Sequence, residues 1–224
     1  MSSFKKAVGF EDPTKRYRER SINLSRLFVP NESAMRLITS TDTYQNFGIA
    51  KGDWLLLNKS LSPGPQDIVL FDYLGERGLA KANSLSARYN GDEDLLIIGV
   101  ITLAVHHFRA PPPLPTHSDL TEIDFHSLLV TQEYSTLLCK ASGHSMLPFL
   151  HNNDLIVLER HLEPTDSDVI IIALNNELVV KRINMSTKTL YSDNPKFKPI
   201  KLTQQDYTRF HGVCRASLRL LRPI

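Results

Sequence analysis

Asp168-Val169-Ile170-Ile171-Ile172-Ala173-Leu174-Asn175-Asn176-Glu177-Leu178-Val179-Val180-Lys181 reads as a strand, a turn and a second strand. The apolar runs are short and rich in Ile, Val and Leu, and Asn175-Asn176-Glu177 between them supplies the hairpin turn. A weaker copy lies about 101 residues earlier, where Asp67-Ile68-Val69-Leu70-Phe71 leads through Gly75-Glu76-Arg77-Gly78 to Leu79-Ala80-Lys81. The repetition extends in both directions. Trp54-Leu55-Leu56-Leu57 answers Leu155-Ile156-Val157-Leu158, and Asp53 answers Asp154. Ile22-Asn23-Leu24 with Leu27 and Val29 answers Ile123-Asp124-Phe125 with Leu128 and Val130.

Each copy closes on a further apolar strand, Leu96-Ile97-Ile98-Gly99-Val100-Ile101 in the first and Gly212-Val213-Cys214 in the second. The first copy lacks about 12 residues ahead of that strand. Helix is expected only as short pieces, at 23–28 and 124–130, where the apolar spacing suits one or two turns. The expectation is a mainly β chain of two tandem domains. Its parts are an arm at 1–20, a first repeat at 21–109, a linker at 110–121 and a second repeat at 122–224. The linker opens Ala110-Pro111-Pro112-Pro113-Leu114-Pro115, a composition that favours a semi-rigid extended spacer.

Composition bounds the rest. With 224 residues, 42% of them hydrophobic, and a net charge of +2, the chain can bury two small cores and does not announce nucleic-acid binding. Thr14-Lys15-Arg16-Tyr17-Arg18-Glu19-Arg20 is locally basic and reads as a solvated arm. Cys139 and Cys214 sit in apolar runs without metal-ligand spacing, which suits a reducing compartment and a cytoplasmic protein. Met1 to Lys6 has no apolar core of a signal peptide, and no run is long enough to span a bilayer, so no membrane anchor is expected. No metal and no cofactor is expected either.

Two residues stand out chemically. Ser145 lies in the turn after Leu137-Leu138-Cys139-Lys140-Ala141, and Lys181 sits among Val179, Val180 and Ile183 on a strand. Burial among such neighbours disfavours a charged amine, and a neutral lysine within reach of a serine hydroxyl can take its proton. By residue type alone, however, most turn serines and strand lysines are ordinary.

The motifs Ala141-Ser142-Gly143-His144-Ser145-Met146, Asn153-Asp154-Leu155-Ile156-Val157, Ser167-Asp168-Val169-Ile170-Ile171-Ile172 and Val179-Val180-Lys181-Arg182 resemble UmuD and the catalytic domain of LexA-type repressors. The likeness runs in order through the second repeat and includes the later Asn194 to Pro199 segment. It implies a serine–lysine self-cleaving peptidase in which Ser145 is the nucleophile and Lys181 its general base. The family's usual glycine before the aspartate is Asn153 here. In the first repeat the serine position aligns with Thr43, and the lysine with Lys81, and the surrounding motif is lost, so that copy is read as a degenerate site.

In UmuD the cut bond opens a G-F-x-x-P sequence, and Gly9-Phe10-Glu11-Asp12-Pro13 is similar, which makes Val8-Gly9 the candidate scissile bond. The resemblance further implies an intramolecular pseudo-dimer, since UmuD-like proteins are homodimers. It also implies a place in the SOS response beside a RecA filament, a UmuC-like error-prone polymerase and UmuD-like proteins. A binding module that replaces a UmuD dimer without cutting itself is the alternative. About 20 residues precede the first repeat, too few for a helix-turn-helix, so sequence-specific DNA binding is not expected.

Overall fold

A computed structural model describes residues 22–114, 120–121 and 123–222. Its first half runs α1 (Leu24–Phe28), β1 (Met35–Thr39), β2 (Trp54–Asn58), β3 (Ile68–Tyr73), β4 (Glu76–Lys81), α2 (Ala82–Arg88) and β5 (Leu95–His107). The second half repeats this as α3 (Phe125–Leu129), β6 (Thr136–Lys140), β7 (Leu155–Glu159), β8 (Val169–Leu174) and β9 (Glu177–Asn184). It then inserts β10 (Thr189–Tyr191) and β11 (Ile200–Lys201) before its last strand, β12 (Thr208–Leu220). The chain is mainly β, as its sequence implies, and α2 is a short helix that its pattern does not announce.

The two hairpins close on two-residue turns with both residues in the left-handed region, Leu74 and Gly75 in one, Asn175 and Asn176 in the other. Such turns match the twist of the flanking strands and favour Asn and Gly. The first turn therefore lies one residue earlier than Gly75-Glu76-Arg77-Gly78 suggested, because Tyr73 already pairs with Glu76.

Within each half the long last strand is flanked by the second and third. β5 pairs with β2 and β3, and β12 pairs with β7 and β8, all antiparallel. Trp54 opposite Val105 has its counterpart in Leu155 opposite Leu218, and both ladders carry the same register break, after Leu56 and before Leu158. The outer strands β1 and β6 each pair with a single neighbour.

The halves then join. β5 and β12 pair directly over Leu103–His107 and Ala216–Leu220, so all the strands form one sheet. The largest buried cluster crosses that seam, packing Leu24, Met35, Trp54 and Val105 with Phe125, Leu129, Val157 and Leu218. α1 and α3 meet there too. Ser25 Oγ donates to Asp124 Oδ1 at 2.8 Å and accepts from His126 N at 2.9 Å.

Two arginines tie the outer corners reciprocally. Arg109, following β5, donates to Asp168 of the second half and to the Glu163 carbonyl. Arg222, following β12, donates to Asp67 of the first half and to the Ser62 carbonyl. Burial works against the Asp168 carboxylate, yet Arg109 and Thr165 hold its pKa below the usual range.

Candidate functional site

Lys181 is on β9, opposite Ile170 of β8, in a register set by the Asn175–Asn176 turn. Strand alternation points it inward: it is only 7% exposed. Burial pushes its amine below the usual lysine range. The Phe197 ring lies 5.6 Å from Nζ.

Ser145 follows β6 in a turn pinned at several points. Ala141 N donates to Asp154 O and Asn153 N to Ala141 O. The Asp154 carboxylate accepts from His151 N at 2.7 Å and is gripped by Arg219. Asn153, standing where the family has glycine, takes φ +74, a left-handed conformation that asparagine tolerates well, so the loop keeps its shape. Gly52 takes φ +92 at the matching place in the first half.

Ser145 and Lys181 open on the same cavity of about 350 Å³, walled by Leu137, Cys139, Leu150, Ile156, Ile171 and Val180. Among the described residues no hydrogen bond joins the two side chains. An apolar pocket whose lining includes a hydroxyl and a desolvated amine has room for an extended apolar peptide beside a candidate nucleophile and base.

The β10–β11 insertion completes the site, and motif reading gave it no role. Asn194 donates from Nδ2 to His144 O at 2.9 Å and from its backbone to Ser145 O at 3.0 Å, clamping the serine turn. Arg182 pairs with Asp193 and fixes the same loop. The signal was present in the sequence, since these residues belong to the stretch that the first repeat lacks.

The first half holds a smaller cleft, of about 190 Å³, whose walls include Ile38, Thr41, Tyr44, Leu55, Leu70 and Leu79. These occupy the places of Cys139, Ser142, Ser145, Ile156, Ile171 and Val180. Tyr44, not Thr43, thus stands at the serine position. Its hydroxyl accepts from Leu79 N at 3.3 Å. Likewise the ladder sets Ala80 opposite Val69, as Lys181 is set opposite Ile170, while Lys81 falls at the place of Arg182.

The degenerate pair read as Thr43 and Lys81 is corrected on both counts by a single residue. A shift of one turns a strand side chain to the other face. Lys81 is exposed and donates to Gln66 Oε1, and exposed Thr43 Oγ1 accepts from Lys51 N. Val8 and Gly9 lie outside the described residues. Among the described residues no cluster of three or more His, Cys, Asp or Glu could hold a metal, and no helix is long and apolar enough to cross a membrane.

A turn serine and a buried strand lysine facing one cavity are an arrangement used by serine peptidases with a lysine base. Residues 108–215 match the family described as Peptidase S24-like, and this match together with the relatives below supports a UmuD and LexA type for the second half. The chain is similar to Protein ImpA of Salmonella typhimurium, 29% identical over 94 residues, 40% of this chain and 64% of that protein. The LexA repressor of Oleidesulfovibrio alaskensis is 33% identical over 73 residues, 31% of this chain and 35% of its own length. Protein SamA of Salmonella typhimurium is 29% identical over 94 residues, 40% of this chain and 67% of that protein. The chain thus spans somewhat under two thirds of the ImpA relatives it matches.

Proposed function

We propose that this chain is a UmuD-like SOS-response protein, a latent serine–lysine autopeptidase written as an intramolecular pseudo-dimer with one live site. Ser145 Oγ attacks the Val8 carbonyl carbon while Lys181 Nζ takes the hydroxyl proton. Backbone N–H groups of the turn stabilise the oxyanion. Collapse breaks the Val8–Gly9 bond, Lys181 returns the proton to the Gly9 amine, and water releases the acyl group from Ser145.

One observation carries this reading: the desolvated Lys181 and the clamped Ser145 face one cavity within a Peptidase S24-like half. A second supports delivery of the arm within one molecule. Ile22, where the described chain begins, borders a hollow with Leu137 and Leu138 of β6, and Leu137 also walls the cavity of Ser145. Extended chain covers about 3.3 Å per residue, so the stretch from Gly9 to Ile22 can cross a small domain.

The cut protein would serve as accessory subunit to a UmuC-like error-prone polymerase, with a RecA filament promoting cleavage. Purified full-length chain at alkaline pH, with and without RecA filament, is expected to lose residues 1–8 by mass spectrometry. Ser145→Ala and Lys181→Ala are expected to stay whole. An intact wild-type N-terminus in every condition sinks the self-cleavage claim.

Tyr44 and Ala80 favour a second reading, a binding module whose fold matters and whose cutting does not. Co-purification with a UmuC-like polymerase that is unaffected by Ser145→Ala would support it.

A further inference from the structure

Only two buried side-chain polar atoms among the described residues have no hydrogen-bond partner, His107 Nε2 and Ser192 Oγ. His107 belongs to the seam between the halves, where it packs edge-on against Trp54 at 4.3 Å. The β9–β10 ladder pairs Leu190 with Ile183 and ends on Tyr191 opposite Arg182, so Ser192 is the first residue past the ladder, on the side where its continuation would meet Lys181. Directly opposed residues share a face of the sheet, with Cβ atoms about 5 Å apart. Burial agrees with that alternation: Leu190 and Ile183 are buried, Tyr191 between them and Ser192 is exposed, and Lys181 is buried again.

The loop that carries Ser192 is held on its far side. Arg182 binds Asp193, and Asn194 binds His144 O and Ser145 O. One short segment therefore touches the serine turn with Asn194, sets the Phe197 ring near the lysine amine and carries a buried hydroxyl without a partner at Ser192. Leaving a buried hydroxyl without a partner costs about 1–3 kcal/mol, so the site favours a donor or acceptor that could reach Ser192 Oγ.

We propose that Ser192 is the positioning residue of Lys181, its Oγ accepting an N–H of the lysine amine so that the remaining lone pair is directed at Ser145 Oγ. The inference rests on the Ser145–Lys181 reading above. A neutral amine has two N–H donors and one lone pair, so fixing one donor leaves the lone pair a narrow choice of direction. The first half has no strand equivalent to β10, and its Ala80 has no amine to direct.

The test uses the full chain and a fluorophosphonate probe, with Ser145 adduct formation followed by intact mass from about pH 7 to about 10.5. Ser192→Ala is expected to slow labelling on the alkaline plateau roughly tenfold to hundredfold. Ser192→Thr, which keeps the hydroxyl, is expected to restore it, and the melting temperatures of both variants to stay near wild type. Wild-type labelling rates in Ser192→Ala overturn the positioning role and leave the dyad standing. Slow labelling in both variants with lowered melting temperatures overturns it in favour of a packing role. Absence of a Ser145 adduct in the wild type at any pH overturns the dyad, and the inference with it.

Discussion

Val105 and Leu218 face each other in the β5–β12 ladder, and the remaining rungs are disposed symmetrically around them. His107 opposite Ala216 answers Leu103 opposite Leu220, and His106 opposite Ser217 answers Ala104 opposite Arg219. Val105 and Leu218 are equivalent residues of the two repeats, each facing the first residue of the second strand of its own half. Residues that hold matching places in the two halves thus meet at the central rung, and the flanking rungs mirror one another about it. Symmetry holds the backbone; individual side chains depart from it, and the departures carry the testable consequences.

His106 and Arg219 are one such departure. His106 Nδ1 is 2.8 Å from Asp53 Oδ1, whereas Arg219 grips Asp154 and also donates to Phe47 O and Gly48 O in the first half. Gly48 has φ +63, and a Cβ there would collide with the Arg219 guanidinium and the Pro148 carbonyl. Gly48→Ala is expected to destabilise the fold by more than about 2 kcal/mol in urea titration, through a strained backbone and a displaced arginine. A loss of only a few tenths would mean that Arg219 has room to move.

The corner pairs differ in burial. Arg109 binds Asp168 through two nitrogens and the Asp168 side chain is 7% exposed, whereas Arg222 uses one nitrogen and the Asp67 side chain is 15% exposed. A two-point charge-assisted pair is stronger, and removing its cation strands a more deeply buried carboxylate. Arg109→Ala is expected to cost about 2 kcal/mol and Arg222→Ala about 1. The two losses are expected to add, since the corners share no partners. Equal losses would show that burial does not decide the difference.

His107 makes the seam sensitive to acid. Burial, and then the positive neighbours His106 and Arg215, push its pKa down to about 4, against 6.5 for the free side chain. The unfolded chain takes up this proton first, so stability falls as pH drops from about 6.5 to about 4, by roughly 3 kcal/mol from this group in the limit. His107→Leu is expected to flatten that part of the stability curve. An unchanged slope would assign the acid sensitivity to other groups.

Lys181 sets stability against chemistry. Below its lowered folded-state pKa the fold must bury a charged amine, and this cost shrinks as pH rises from there toward the ordinary lysine range. Lys181→Met is expected to abolish Ser145 labelling and to raise stability at pH 7 by about 1 kcal/mol. A destabilised Met variant would mean that the amine is well accommodated.

Much of this was legible in the chain. The hairpins and the cores of the closing strands follow from local patterns, since turn residues and apolar alternation act over a few positions, whereas Ser145 and Lys181 stand out only through the family resemblance. The degenerate copy was misread by one residue at each of two places. Thr43 resembles serine chemically, and Lys81 repeats the lysine, whereas the ladder counts from Asp53 and Asp67 and puts Tyr44 and Ala80 at those positions. Register is a property of strand pairing, and chemical likeness between side chains does not report it. The resemblance implied that the halves dock, but the pairing of β5 with β12 had no local signal, because it depends on edges created only when both halves have folded.

That register also defines the last prediction. Tyr44→Ser with Ala80→Lys would return both reacting groups to the first half, at the positions that Ser145 and Lys181 hold in the second. The double variant, made in a Ser145→Ala background, is nevertheless expected to form no fluorophosphonate adduct at residue 44. The first half has no β10–β11 segment, hence no counterpart of Asn194 on the turn or of Phe197 over the amine. Catalysis requires reacting groups held near their productive geometry, and residue identity alone does not hold them. An adduct at residue 44, found by peptide mass mapping, would show that the inserted hairpin is dispensable and that the walls of the cleft suffice.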